Sequence, residues 1–193
     1  NHEARDNLQT PNFPYYYPLV YHNINLEISQ KRSFLARTAY FFTRSISLSL
    51  LLQFISSFFS YQIDVEGSLS GFHVIKEIFL SLFILFIGTS LIYYVQYYSF
   101  YCSIRDETPN NTALPIQIYT IITLSVLVLG IPGTGTIGLI YTYLAFQKGK
   151  WLIQFLSVVV TIWQSLNLIG EIIVYFLIRP VFRPVEEHET LIV

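Results

Sequence analysis

The residues Leu127-Val128-Leu129-Gly130-Ile131-Pro132-Gly133-Thr134-Gly135 sit inside an uncharged run that extends from Thr108 to Gln147. Forty residues without a charge cannot form the surface of a domain in water, and they are about twice what one helix needs to cross a bilayer. The Gly-Ile-Pro-Gly break therefore decides how the run is used. A helix is predicted from about Ala113 to Leu129, with a stop at Gly130 and a second apolar piece, Thr136 to Phe146, beyond it. Proline lacks the backbone donor and clashes with the preceding turn, while glycine reaches left-handed geometry at little cost. Such a break is stable only at the membrane interface or packed against protein. The rest of the chain reads as a membrane bundle around this corner.

Composition agrees. The chain is 53% hydrophobic and 12% charged, where an ordinary soluble domain carries roughly 25% charge. Aromatic residues make up 17%, which suits a surface facing lipid and the lipid interface. A net charge of −1 offers no basic field for nucleic acid. A single cysteine, Cys102, excludes an internal disulfide and a cysteine metal cluster. Asn1 to Pro18 is polar and aromatic with no apolar core, so no cleavable signal peptide is expected there.

Taken in order, residues 1–25 hold Pro11, Pro14 and Pro18 among tyrosines and are predicted to be an extended segment on the membrane surface. Residues 26–44 have apolar positions at helical spacing, with Lys31, Arg32, Arg37 and Arg44 off that face. This is a basic amphipathic approach helix, and those four residues are candidate lipid-surface contacts or ordinary positive-inside flanks. The membrane domain, 45–178, is expected to contain four spans at about 45–63, 78–98, 113–130 and 151–178. Tyr93, Tyr94, Tyr97 and Tyr98 are read as marking the headgroup level. A tail, 179–193, closes the chain. The fold class is thus an all-α integral membrane protein: four transmembrane helices, an amphipathic approach helix and a Gly-Ile-Pro-Gly corner after the third span.

Four spans put both tails and the middle loop on one side. That side holds Arg5, Lys31, Arg32, Arg37, Arg44, Arg105, Arg179 and Arg183, against Lys76, Lys148 and Lys150 on the other. Eight basic residues against three place both termini in the cytosol. The sequon Asn110-Asn111-Thr112 is then cytosolic and unused.

Chemistry-bearing motifs are few. The histidines are scattered, no nucleophile or zinc motif occurs, and no carboxylate pair lies within the spans, so an enzyme is not expected and no cofactor is implied. Gly133 to Gly138 matches the dinucleotide fingerprint by letters, but it follows a membrane helix and a proline where the fingerprint needs a strand, so close backbone packing is the better account. Glu171 is the one acid deep in a span. It is a candidate intramembrane polar site, with proton or cation traffic set against a structural acid held by hydrogen bonds. Cys102 is a candidate palmitoylation site or a plain buried thiol. In the tail, Glu187 followed by Leu191 and Ile192 fits the acidic dileucine sorting pattern that clathrin adaptors read.

An Asn-Phe-Pro segment at Asn12 to Pro14, a basic amphipathic approach, four spans and Gly130-Ile131-Pro132-Gly133-Thr134-Gly135 together resemble the secretory carrier membrane proteins (SCAMPs) over about residues 11–184. The corner is similar to that family's Gly-Ile-Pro-Gly-Leu-Gly. The resemblance implies a non-enzymatic protein of post-Golgi and endosomal vesicles or the plasma membrane, acting in membrane recycling and exocytosis. The family's Cys-Trp-Tyr-Arg-Pro stretch, linked to phosphoinositide binding and fusion, is replaced here by Tyr93-Tyr94-Val95-Gln96-Tyr97, so that role is not carried over.

Three functions are therefore carried forward. The first is vesicle trafficking by recruitment of partners: the lipid bilayer, other membrane proteins and clathrin adaptors. The alternative is an accessory subunit of a large membrane complex such as a proton pump or respiratory assembly. The third is a small oligomeric transporter or channel that uses Glu171.

Overall fold

A computed structural model describes residues 23–63, 71–106 and 113–182, and among them every regular element is helical. Most of the amino-terminal segment, the sequon and the sorting pattern at Glu187, Leu191 and Ile192 lie outside the described residues. α1 (Ile24–Glu27) is a single turn capped by Asn23, whose side chain accepts from the N–H groups of Asn25 and Leu26. α2 (Gln30–Ser57) follows, then a 3-10 turn at Ser60–Gln62. α3 (Gly71–Leu91) continues through a π-helical stretch, Ile92–Tyr98, into α4 (Ser99–Arg105). α5 (Ala113–Leu129), α6 (Leu139–Lys148) and α7 (Trp151–Phe182) complete the set.

Val74–Arg105 and Trp151–Arg179 are long and apolar enough to cross a membrane, and Ala113–Leu129 is apolar but shorter. α2 does not join them. It carries Lys31, Arg32, Arg37 and Arg44 up to its midpoint, and beyond that it buries Ser49, Gln53, Ser56 and Ser57. It runs unbroken from residue 44 to residue 45, so the approach helix and the first uncharged stretch form one rod.

Polar side chains lie inside the bundle among apolar clusters, and large apolar ones lie outside. Gln53, Gln96, Gln117, Gln164, Asn167 and Glu171 are buried, while Phe79, Phe83, Phe86, Phe155, Leu166 and Phe176 are exposed. An apolar outer surface around an interior that includes these polar groups is stable in hydrocarbon, where inward-facing polar side chains glue helices together.

Partner residues set the directions. Along α2, Ser45 and Gln53 meet Asn167 and Gln164, and beyond its end Gln62 of the 3-10 turn meets Lys150 just before α7, so α2 and α7 are antiparallel. Gln117 of α5 meets Glu171, and Thr142 of α6 meets Thr161. The partner number falls along α7 while the chain rises through both helices. α5 and α6 therefore run in the same direction, as two halves of one broken rod. The expectation of a corner after the third span is corrected on this point: the corner interrupts the rod. Its level is that of Gln164, thirteen residues from Trp151 and fifteen from Arg179 on α7.

Candidate functional site

Two features of the interior involve the residues singled out by sequence. The first is the glycine corner. Gly130, Gly133 and Gly135 have φ of 62°, 81° and 75°, the left-handed region that glycine alone enters freely. α5 ends at Leu129, where Gly130 turns left-handed, and Pro132 follows two residues later. Tyr141 N–H donates to Gly130 O at 3.1 Å, which starts the return into α6. A methyl group on Gly130 would collide with the backbone of Gly138, and one on Gly138 would collide with Val128 O. On Gly135 it would lie 2.6 Å from the Ser81 backbone nitrogen of α3. Gly135 and Gly138 are thus spent on close backbone packing.

Side chains from three helices fasten this loop. Gly133 N–H donates to Glu77 Oε1 at 2.8 Å, and Gln53 Nε2 donates to Gly135 O at 2.9 Å. Gln164 contacts Gln53 Oε1 at 2.5 Å, and on its other side it lies 3.1 Å and 3.0 Å from the carbonyl oxygens of Leu127 and Ile137. Those carbonyls lie just before and just after the break. Freed backbone groups inside a membrane bundle must find such partners, since no water competes for them. Ile131 and Pro132, at the tip, are exposed.

The second feature surrounds Glu171, which is 1% exposed. Gln96 Nε2 donates to Glu171 Oε2 at 2.8 Å and also to Gln117 Oε1 at 3.0 Å. Gln117 Nε2 donates to the same carboxylate oxygen and to Glu171 O at 3.1 Å. One acid thus ties α3, α5 and α7 together through two amides. Gln96 reaches it from the π-helical stretch, where one extra residue per turn re-aims the side chains. Glu171 Oε1 and Gln96 Oε1 have no partner among the described residues.

Below this knot, on α7, Ser45 Oγ donates to Asn167 Oδ1 at 2.6 Å and accepts from Trp163 Nε1 at 2.9 Å. Gly170 lets the Phe42 ring lie directly on the α7 backbone.

At the far end, Tyr97, Tyr101, Ile104, Leu35 and Ile178 form an apolar cluster that includes Ile28, beside α1. Glu27 accepts from Tyr101 and pairs with Arg105 at 3.8 Å, which pins α1 to α4. Tyr97 and Tyr101 are buried, so the reading of this tyrosine stretch as a uniform headgroup belt is corrected: Tyr94 is exposed, Tyr93 and Tyr98 are partly buried. Of the candidate lipid-surface residues, Arg37 is exposed and donates to Asn25 Oδ1 at 2.6 Å. Arg44 is exposed and lies 5.4 Å from the Tyr40 ring centroid. Arg32 is partly exposed, and the side chain of Lys31 is outside the described set. Cys102 is a free, half-buried thiol on α4.

Sequence reasoning singled out Glu171 and the corner and passed over Gln96, Gln117 and Glu77. The signal was available as the one amide in each of the π-helical stretch and α5, and as an acid beside Lys76 in the first turns of α3. Nothing in the spacing says that the three helices bring two of them to one acid.

The model of the SCAMP family matches residues 10–184, nearly the whole chain. No curated protein and no solved structure matches it.

Proposed function

The chain belongs to the SCAMP family, and from that premise we propose that it is a non-enzymatic, four-span protein of post-Golgi and endosomal vesicles or the plasma membrane that works in membrane trafficking by recruiting partners. The spans are α2, the continuous rod of α3 and α4, the broken rod of α5 and α6, and α7. Both termini face the cytosol. The observation that carries this reading is the family match over 10–184, which takes in the whole helical bundle. Buried glutamines beneath an exposed surface rich in phenylalanine support residence in a bilayer.

In this reading the cytosolic tails do the recruiting. Glu187, Leu191 and Ile192 offer adaptors an acid and two aliphatic side chains, and Lys31, Arg32, Arg37 and Arg44 hold the approach helix on anionic lipid. The accessory-subunit and Glu171-transport readings gain no support from the family match.

The adaptor part is tested by replacing Leu191 and Ile192 with alanine and imaging the tagged protein in cells. A shift toward the cell surface is expected, and an unchanged distribution would sink that part. Protease protection of tags at both ends tests the orientation, and a protected tag at either end would overturn it.

A further inference from the structure

The knot around Glu171 can be counted donor by donor. Gln96 Nε2 gives one N–H to Glu171 Oε2 and the other to Gln117 Oε1. Gln117 Nε2 gives one to Glu171 Oε2 and the other to the Glu171 main-chain oxygen. A side-chain amide carries two donor hydrogens, so all four are in use. The same three side chains hold four oxygens. Glu171 Oε2 and Gln117 Oε1 are served, whereas Glu171 Oε1 and Gln96 Oε1 are not. Two buried acceptors without a donor are costly, and the amides have no hydrogen left to give them.

Water does not fill the deficit, because no water-sized space touches either oxygen. A cationic side chain does not fill it either. Among the described residues no charged or titratable group acts on the carboxyl group, and its polar surroundings are the two amides. Arg44 of α2 is exposed against the Tyr40 ring, Tyr97 packs on Tyr40 and Tyr101, and Tyr119 of α5 is exposed. Tyr141 of α6 packs with Ile153 and Val160, toward the other end of α7. On α7 itself Tyr175 stands against Phe176, and Arg179 is exposed about two turns away.

Depth makes a charge expensive here. Trp151–Arg179 has 29 residues and is about 42 Å long against about 30 Å of hydrocarbon. With the helix centred, Glu171 lies about 6 Å inside the hydrocarbon edge, where an unpaired carboxylate is strongly disfavoured. The bonding pattern agrees. An ionised carboxylate accepts on both oxygens, whereas a protonated one accepts on its carbonyl oxygen and donates from its hydroxyl. Both amides converge on Oε2 and neither reaches Oε1.

We propose that the junction of the π-helical stretch, α5 and α7 is a proton-binding site: Glu171 is held there as the neutral acid, with its proton on Oε1. That proton is the fifth donor hydrogen of the knot. The acceptor open to it within the knot is Gln96 Oε1, which shares a carbon with the nitrogen bonded to Oε2. Three helices are thus joined inside the hydrocarbon without a charge.

The test is infrared spectroscopy of the full chain in a maltoside detergent, which has no carbonyl group of its own, at about pH 7, where glutamates in water are ionised. Wild type is expected to show the carbonyl stretch of a protonated acid above the amide region, and Glu171→Gln to lose it. Gln96→Leu should keep that band and move it to higher frequency, because Oε2 then accepts from one amide and not two. This shift assigns the band to the knot even if Glu171→Gln does not fold. A carboxylate band, and no acid band, lost in Glu171→Gln overturns the proposal. A carboxylate band that moves when sodium is replaced by choline also overturns it, in favour of a metal cation at Glu171. An acid band that Gln96→Leu leaves unmoved belongs to another carboxyl group and overturns it as well.

Discussion

α5 is held at its two ends by opposite means. Near its start, Gln117 reaches Glu171 side chain to side chain, and Gln96 joins from α3. At its end, Gly130 lies backbone to backbone against Gly138, and no side chain intervenes. The first hold is made of groups that can be exchanged for others of like shape. The second is made of missing atoms, so any added carbon must displace the main chain. The polar knot is therefore open to tuning, and the corner is not.

The largest effect that sharpens this contrast is expected at Gly130→Ala. It places a methyl group on the Gly138 backbone and forces φ of 62° on a chiral residue. Packing and strain together should cost on the order of 4 kcal/mol. The check is the loss of a monodisperse peak on size-exclusion chromatography in mild detergent.

Next comes Glu171→Leu, which removes the shared acceptor of two buried amides. A loss of about 2 kcal/mol is expected from two hydrogen bonds in a membrane interior. Glu171→Gln keeps the shape and an acceptor oxygen and should lose less than half of that. The unfolding midpoint in a denaturing-detergent titration reads both. Equal losses would mean that the charge, and not the hydrogen-bonded shape, ties the three helices.

The smallest effect is expected at Gly133→Ala. The same left-handed φ applies, at 81°, but nothing lies within 4 Å of the added carbon. The cost should be about 1 kcal/mol, from conformation alone. If the same titration finds Gly133→Ala as damaging as Gly130→Ala, then backbone angle governs the corner and close packing does not.

Much of this was readable along the chain. The uncharged run, the proline between two glycines and the lone acid in the last helix each report a local cost: a buried charge, a missing donor, a left-handed turn. Such costs belong to single residues. The three glutamines that complete the interior were passed over, because Gln53, Gln96 and Gln117 cost little by themselves and gain their roles only from Gly135, Glu171 and one another. The tyrosines misled for a related reason. Tyrosine serves both at an interface and in a core, and the Tyr97 and Tyr101 rings are buried beside α1 and α7.

By itself the sequence determined an all-helical membrane chain, a break at Gly130 to Gly133 and a likeness over residues 11–184, because hydropathy, proline geometry and motif order are properties of consecutive residues. Only the tertiary structure decided that α5 and α6 are one interrupted rod, that the break sits at the middle of α7 and that a π-helical stretch delivers Gln96 to Glu171. Those facts depend on which helix lies beside which, and the antiparallel packing of α7 on α2, α5 and α6 sets that through contacts between residues far apart in the chain.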